Sequence, residues 1–167
     1  MPWSPGVESP IVVMNPDGSN KKKIPGSQAN YGLAWSPDGR KVVFEWGCDI
    51  YIMNVDGSRG PQKLTNDPDD CALTPDWSPD GSRIAFTRSG DIYKVAVRSS
   101  RVRRLTRTPD YETWPTWSPD GSKIAYTKWA TPAESEAYSA IYKMHADGSD
   151  PTPVVDVPGR NERIGKS

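Results

Sequence analysis

The sequence predicts an all-β protein, a β-propeller of four-stranded antiparallel blades, because one pattern of turns and short apolar strands recurs along it. The pentapeptide Trp-Ser-Pro-Asp-Gly begins at Trp35, Trp77 and Trp117, so its copies stand 42 and 40 residues apart. A looser motif that begins Ile-Tyr follows at Ile50, Ile92 and Ile141. No window has a sustained period of 3.6 residues, so we expect almost no helix.

The repeated turns predict hairpins. Ser-Pro-Asp-Gly suits a type I turn, because proline presets φ at the second position and glycine accepts the left-handed conformation that follows. Asp-Gly in the second motif is a hairpin signal of similar strength, although Val97-Arg98-Ser99-Ser100 replaces it in the third unit. Each period therefore contains four strands, A to D. In the first full unit, A ends at Trp35, and B, C and D span residues 42–46, 50–54 and 62–65.

Strands B and D differ in their predicted surroundings. Strand B is apolar on both faces, which is typical of a strand buried between two stacked sheets. Strand D carries charges, such as Arg101, Arg103 and Arg104, which indicate an exposed edge. Four-stranded sheets that stack face to face around an axis form a propeller.

The chain has about four blade equivalents, three complete and one truncated, in a single domain of residues 1–167. The predicted blades are roughly residues 1–25, 31–65, 73–106 and 113–156. In the first blade, Trp3 precedes Ile11 by 8 residues, whereas 15 separate Trp35 from Ile50, so strand B is predicted to be missing. Propellers typically need four to eight blades to close. We therefore favour a ring closed by homo-oligomerisation over a compact four-bladed monomer or an open fragment.

The motifs resemble a known family. Trp-Ser-Pro-Asp-Gly, Ile-Ala-Phe, Ile-Tyr-x-Met and Leu-Thr, in that order, are similar to the WD40-like PD40 repeat of TolB-type β-propellers, and the resemblance covers roughly residues 11–156. The resemblance implies a ring of six or more blades. It also implies a periplasmic protein, although Met1-Pro2-Trp3-Ser4 lacks the charged and apolar regions of a signal peptide. The compartment therefore stays unknown.

Composition argues against two partner classes. Lysine plus arginine equals aspartate plus glutamate at 21 each, so no global field attracts nucleic acid. No apolar stretch has the length of a membrane helix, so we expect no membrane insertion. We expect no cofactor either.

The irregular loops are the candidate binding surface. In a meander, the A–B and C–D turns share one end of the ring, and the B–C turns and D–A connections share the other, which we call the variable face. Its carboxylates and aromatic rings suit a protein or peptide partner, a sugar or a hard cation, and simple solvated loops are the alternative. The predicted binding residues are Asp69, Asp70, Tyr111, Glu112 and Trp114, with Trp129 and Tyr138 from a long insertion.

The sequence gives little support for a metal site or for a disulfide. Asp49, Asp67, Asp69 and Asp70 lack the spacing of a calcium loop, and we predict no metal site. The only two cysteines, Cys48 and Cys71, both fall on the variable face. A disulfide is plausible in an oxidising compartment, but two separate thiols are the favoured interpretation.

The sequence predicts a non-catalytic protein. His145 is the only histidine, and its position beside a turn of the second motif, where Asn15 and Asn54 stand in other units, favours a structural role. Little or no material therefore remains for a Ser-His-Asp triad or a multi-histidine metal centre. Glu45, Glu112 and Glu134 are candidates for a glycosidase-like pair, but no spacing brings two of them together. We predict a protein-binding or peptide-binding or scaffold module. The alternatives are a carbohydrate-binding or carbohydrate-active propeller and a structural propeller fragment without a ligand.

Overall fold

The computed structural model describes residues 10–29, 31–129 and 139–154, and within these ranges it contains strands and no helix. No helix there is therefore long and apolar enough to span a membrane. The strands are β1 Val12–Val13, β2 Lys22–Lys23, β3 Tyr31–Trp35, β4 Lys41–Trp46, β5 Asp49–Asn54, β6 Gln62–Lys63, β7 Leu73–Trp77, β8 Arg83–Arg88, β9 Asp91–Ala96, β10 Val102–Arg104, β11 Tyr111–Trp117, β12 Lys123–Trp129, β13 Ser139–His145 and β14 Thr152–Pro153.

The strands form antiparallel sheets in which each strand pairs with its neighbours in the chain. Sheet 1 contains β1 and β2, sheet 2 contains β3 to β6, sheet 3 contains β7 to β10, and sheet 4 contains β11 to β14. The all-β prediction with four-stranded antiparallel sheets is confirmed. In the first unit, the described residues supply only the strands that correspond to C and D.

Sheets 2, 3 and 4 lie side by side like the blades of a fan, with their first strands close together and their last strands apart. Strand β7 lies between β3 and β11 and contacts both, whereas the last strands, β6, β10 and β14, do not contact one another. Three apolar clusters fill the spaces between consecutive sheets. This arrangement places the first strands on the inner side of the fan, as in the blades of a propeller.

The second strands of sheets 2 and 3, β4 and β8, are buried on both faces. In β4, Val42 and Phe44 pack towards sheet 1, and Val43 packs towards sheet 3. In β8, Phe86 packs towards sheet 2 and Ala85 towards sheet 4. The prediction for strand B is confirmed in sheets 2 and 3, whereas β12 of sheet 4 is buried on one face only. Both residues of β6 are exposed, as an edge strand requires.

The third unit makes its C–D turn without glycine. Ser100 has a φ of 52° and donates its N–H to the carbonyl oxygen of Ala96 at 2.8 Å. A serine thus occupies the left-handed position that glycine occupies in the other units.

Cys48 and Cys71 form a disulfide, so the preference for two separate thiols was wrong. Cys48 lies in the turn between β4 and β5, and Cys71 lies just before β7. The backbone already joins these segments, because Ala72 donates its N–H to the carbonyl oxygen of Cys48 at 3.0 Å. Both segments lie on the variable face, which brings the two cysteines together.

The Ser-Pro-Asp-Gly turns are closed by their own side chains. The serine hydroxyl donates to the aspartate two residues later at 2.6 Å in all three copies. The same carboxylate accepts a backbone N–H two residues further on at 3.0 Å. These donors favour the charged carboxylate, and they lower the pKa of Asp80 and of Asp120 to about 2.

These lowered pKa values predict a pH-dependent effect of Asp80→Asn combined with Asp120→Asn. A carboxyl whose pKa is lower in the folded chain stabilises it above the unfolded pKa, and this contribution is lost as pH falls from about 4 towards about 2. The variant should therefore be less stable than the wild type at neutral pH, and the difference should shrink with acidification. Urea unfolding over a pH series measures this. An equal difference at every pH would contradict the assignment.

Candidate functional site

The first strands of sheets 2, 3 and 4, which are β3, β7 and β11, are called the inner strands. They share an irregularity at one repeat position. The pairing register shifts between Tyr31 and Ala34, between Leu73 and Asp76, and between Thr113 and Thr116. The residue after the first of each pair is left-handed, with φ of 61° at Gly32, 53° at Thr74 and 51° at Trp114. Such bulges bend a strand and redirect its side chains. A tryptophan at positive φ is uncommon and points to a position under functional or structural constraint.

A groove runs across these inner strands. It consists of two adjoining cavities of about 460 and 700 Å³ that share Leu73, Thr74 and Trp114. We call it the inner groove and define it by its large apolar lining residues, Tyr31, Leu33, Leu73, Tyr111, Trp114 and Trp129. The groove spans sheets 2, 3 and 4, so no single repeat could form it.

One end of the inner groove is aromatic. The rings of Trp114 and Trp129 lie 6.3 Å apart between centroids, tilted by 59°. Trp129 donates its indole N–H to Thr113 Oγ1 at 3.3 Å, which fixes one edge of the ring. Tyr111 lines the same cavity and lies against Gly90, where an added Cβ would come within 2.6 Å of its ring. All three rings remain exposed.

Two carboxylates border the other end of the groove and tie the sheets together. Glu45 of sheet 2 is buried and accepts the N–H of Thr74, the bulge residue of sheet 3, at 2.5 Å. Burial raises the pKa of Glu45. Asp76 of sheet 3 accepts the N–H of Trp117 in sheet 4 at 2.8 Å. Neighbouring sheets are thus held in register by side-chain to backbone hydrogen bonds as well as by apolar packing.

Glu112 is placed differently from its aromatic neighbours. Its side chain is fully buried and accepts the hydroxyl of Thr108 at 3.0 Å, while Oε2 has no protein partner among the described residues. Burial raises its pKa. Glu112 does not line the inner groove. The structure therefore separates it from the three aromatic residues with which it was grouped.

Asp69 and Asp70 also lie away from the inner groove. They belong to the connection between β6 and β7, where Asp69 donates its N–H to Asp67 Oδ1 at 3.2 Å. Asp67 pairs with Arg88 at 3.1 Å, and Asp49 pairs with Lys63 at 2.6 Å. In the described ranges no group of three acidic, histidine or cysteine side chains is arranged to hold a metal ion. Tyr138 and Glu134 lie outside the described residues.

Sequence reasoning missed the sheet 2 side of the groove. Tyr31, Leu33 and Glu45 belong to predicted strands, so they were not considered among the loop residues. A signal was present, because strand A of this unit has apolar side chains at alternate positions, Tyr31, Leu33 and Trp35, and all three are exposed. The bulge after Tyr31 was not visible in the sequence pattern.

The described residues offer no assembled nucleophile and base. His145 is exposed at the end of β13 and faces Asp150 at 3.9 Å, on the side of the repeated turns. Glu45 and Glu112 both have raised pKa values, but Glu112 does not reach the groove that Glu45 lines. The groove is suited to binding an apolar surface.

Similar solved structures share the fold. A protein described as a TolB from Agrobacterium tumefaciens is 21% identical, with a TM-score of 0.67 over 90% of this chain and 63% of that one. TolB from Acinetobacter baumannii is 20% identical, with a TM-score of 0.68 over 87% of this chain and 37% of that one. An oligogalacturonate lyase in complex with manganese is 22% identical, with a TM-score of 0.59 over 84% of this chain and 40% of that one.

This chain spans less than two thirds of the length of each of these three proteins. Since they include a lyase as well as TolB proteins, the fold alone does not distinguish binding from catalysis. No curated protein matches the sequence. A family match is nevertheless clear, and it confirms the resemblance drawn from the repeats. The sequence matches the TolB beta propeller domain over residues 5–150, and the chain therefore belongs to the TolB β-propeller family with PD40 repeats.

Proposed function

We propose that the chain is a non-catalytic module that binds an extended peptide segment of a protein partner in the inner groove. Tyr111, Trp114 and Trp129 are the proposed anchoring residues, joined by Tyr31 and Leu33. The observation that carries the proposal is the continuous apolar groove across three sheets, with exposed aromatic rings at one end. Exposed aromatic clusters of this kind are uncommon on surfaces without a partner.

The size and rigidity of the inner groove support a peptide ligand. Its two cavities, about 460 and 700 Å³, are in the range of ligand pockets but are elongated across three strands. The strands that carry the lining residues are fixed by sheet pairing and by the Glu45 and Asp76 hydrogen bonds. A preformed site lowers the ordering entropy lost on binding.

The charge of the lining favours one chemistry of ligand. Among the described residues, the charged side chains that line the two cavities are Glu45 and Asp76, and no described lysine or arginine lines them. We therefore expect the bound segment to present apolar or aromatic side chains and to carry no net negative charge. Asp69, Asp70 and Glu112 have no part in this proposed contact, although Asp69 and Asp70 remain available to a larger partner surface.

Trp114→Ala is expected to weaken peptide binding by at least about tenfold, because buried tryptophan anchors typically contribute about 2 kcal/mol or more to an interface. Peptides from a random library, selected on the wild-type chain, would be measured by calorimetry against both proteins. Trp46→Ala is the matched control, since Trp46 is an exposed tryptophan outside the groove, and it should bind as the wild type does.

Selected peptides that bind Trp114→Ala as tightly as the wild type would contradict the proposed site. A glycan array run beside the selection tests the rival carbohydrate function. Reproducible sugar binding that is lost in Trp114→Ala, together with no selected peptide, would replace the peptide proposal.

A further inference from the structure

The two carboxylates of the inner groove each use one oxygen to join neighbouring sheets. Glu45 accepts the N–H of Thr74 on Oε1. Asp76 accepts the N–H of Trp117 at 2.8 Å and the hydroxyl of Thr116 at 3.1 Å, both on Oδ2. The other oxygens, Glu45 Oε2 and Asp76 Oδ1, have no protein partner among the described residues. Since both side chains line the cavity of about 700 Å³, two carboxylate oxygens are available to a ligand there.

The repeat does not require an acidic residue at either position. Thr87 of sheet 3 stands at the position of Glu45, since each pairs with the first residue of the inner strand of its sheet. Ala34 of sheet 2 stands at the position of Asp76. The junction between sheets 3 and 4 thus lacks a carboxylate at the first position, and the junction between sheets 2 and 3 lacks one at the second. Each junction closes without the carboxylate that the other one uses.

The described residues supply no cation to these carboxylates. None of the ion pairs in the described ranges includes Glu45 or Asp76, and no described lysine or arginine lines the cavity. Glu45 is 4% exposed, and burial raises its pKa, because desolvation disfavours the charged form and only the N–H of Thr74 opposes this effect. Buried charges in proteins are normally paired, so a cation on a ligand would supply the missing partner.

We propose that the inner groove holds a lysine side chain of the bound segment, with its ammonium group against the free oxygens of Glu45 and Asp76; this subsite rests on the proposed peptide-binding function. Each carboxylate offers one free oxygen, which suits the three rotatable N–H donors of an ammonium group. The planar guanidinium of arginine pairs best with both oxygens of one carboxylate, and here one of the two is already occupied. The aliphatic stem of the lysine packs along Leu33 and Leu73, which line the same cavity.

The layout of the groove places this lysine near an apolar anchor of the same peptide. The cavity that contains Glu45 and Asp76 shares Trp114 with the aromatic cavity, so one extended segment reaches both. The spacing between the two anchors is set by the fixed inner strands. Among peptides selected on the wild-type chain, we therefore expect lysine to recur at a fixed spacing from an aromatic or large apolar residue.

Peptides that differ only at this lysine test the subsite. A selected peptide would be compared by calorimetry with two versions that carry methionine or arginine in place of the lysine. Methionine has an unbranched side chain without a charge. The wild-type chain should bind the lysine peptide at least about tenfold more tightly than the methionine peptide, because hydrogen bonds from a charged donor are the strong ones. The arginine peptide should bind more weakly than the lysine peptide.

Glu45→Gln and Asp76→Asn remove the charge but keep an oxygen that accepts the N–H of the neighbouring sheet. Each should lower the preference for lysine over methionine several-fold. The methionine peptide should bind both variants as it binds the wild type, which also shows that the groove is intact. Asp76 is only half-buried, so its variant carries the test even if Glu45→Gln unfolds. Asp150→Asn is the matched control, since Asp150 is exposed on the side of the repeated turns, and it should keep the full preference.

Selected peptides without a recurring lysine, equal wild-type binding of the lysine and methionine peptides, or tighter binding of the arginine peptide would overturn the subsite. An unchanged lysine preference in Asp76→Asn or in folded Glu45→Gln would do the same. Trp114→Ala should weaken the lysine and methionine peptides alike. Loss of binding in Trp114→Ala without any lysine preference would therefore reject the subsite and retain the proposed function, whereas peptides that bind Trp114→Ala unchanged would reject the groove itself.

Discussion

Trp77→Ala is expected to lower the free energy of unfolding by about 3–5 kcal/mol, the usual cost of truncating a buried aromatic side chain. Trp77 ends β7 and packs in the cluster between sheets 2 and 3, against residues such as Val43 and Ile52. Its indole N–H has no protein partner among the described residues, so the stabilisation comes from packing. Urea unfolding followed by circular dichroism measures the loss.

Trp35→Ala is the matched control, since Trp35 occupies the same repeat position but is 51% exposed against 6% for Trp77. Its loss should be about 1 kcal/mol or less, because a half-exposed side chain buries less apolar area. Both variants would be compared with the wild type at the same protein concentration. Equal losses at the two positions would mean that the sheets do not stack as described.

Gly32→Ala is expected to destabilise the chain by about 2–5 kcal/mol. Gly32 has a φ of 61°, and an added Cβ would lie 2.2 Å from Glu45 Oε1 and 2.8 Å from Pro75 Cδ. The left-handed backbone costs an alanine about 1–2 kcal/mol, and the overlap adds a further penalty of about 1–3 kcal/mol. The overlap also displaces the Glu45 carboxylate that accepts the N–H of Thr74. Chemical denaturation measures the total.

Gly39→Ala separates the two effects. Gly39 has a φ of 67°, and an added Cβ would meet nothing within 4 Å, so only the backbone cost of about 1–2 kcal/mol applies. If both alanine variants lost the same stability, the close approach of Gly32 to sheet 3 would be refuted.

The fold was predictable because its signals are local. Three Ser-Pro-Asp-Gly turns mark the hairpins, and runs such as Val42-Val43-Phe44 mark strands buried on both faces. Repetition then averages out the ambiguity of any single short strand, so that the strand order A to D could be derived from the recurrence alone.

The candidate site was less predictable because it depends on contacts between repeats. Tyr111, Trp114 and Trp129 were selected from loops, and the structure does bring them together. Their partners across the groove, Tyr31 and Leu33, lie about 80 residues earlier, in strand β3. The disulfide likewise depends on how two loops of the variable face approach, which no local pattern reports.

Binding in the inner groove is tested most directly by the indole N–H signals of the tryptophans in a nuclear magnetic resonance titration with a selected peptide. The signals of Trp114 and Trp129 should shift, and those of Trp77 and Trp117, buried between sheets, should not. Unchanged Trp114 and Trp129 signals, with shifts confined to Trp46 or to the backbone of Asp69 and Asp70, would contradict the proposed site.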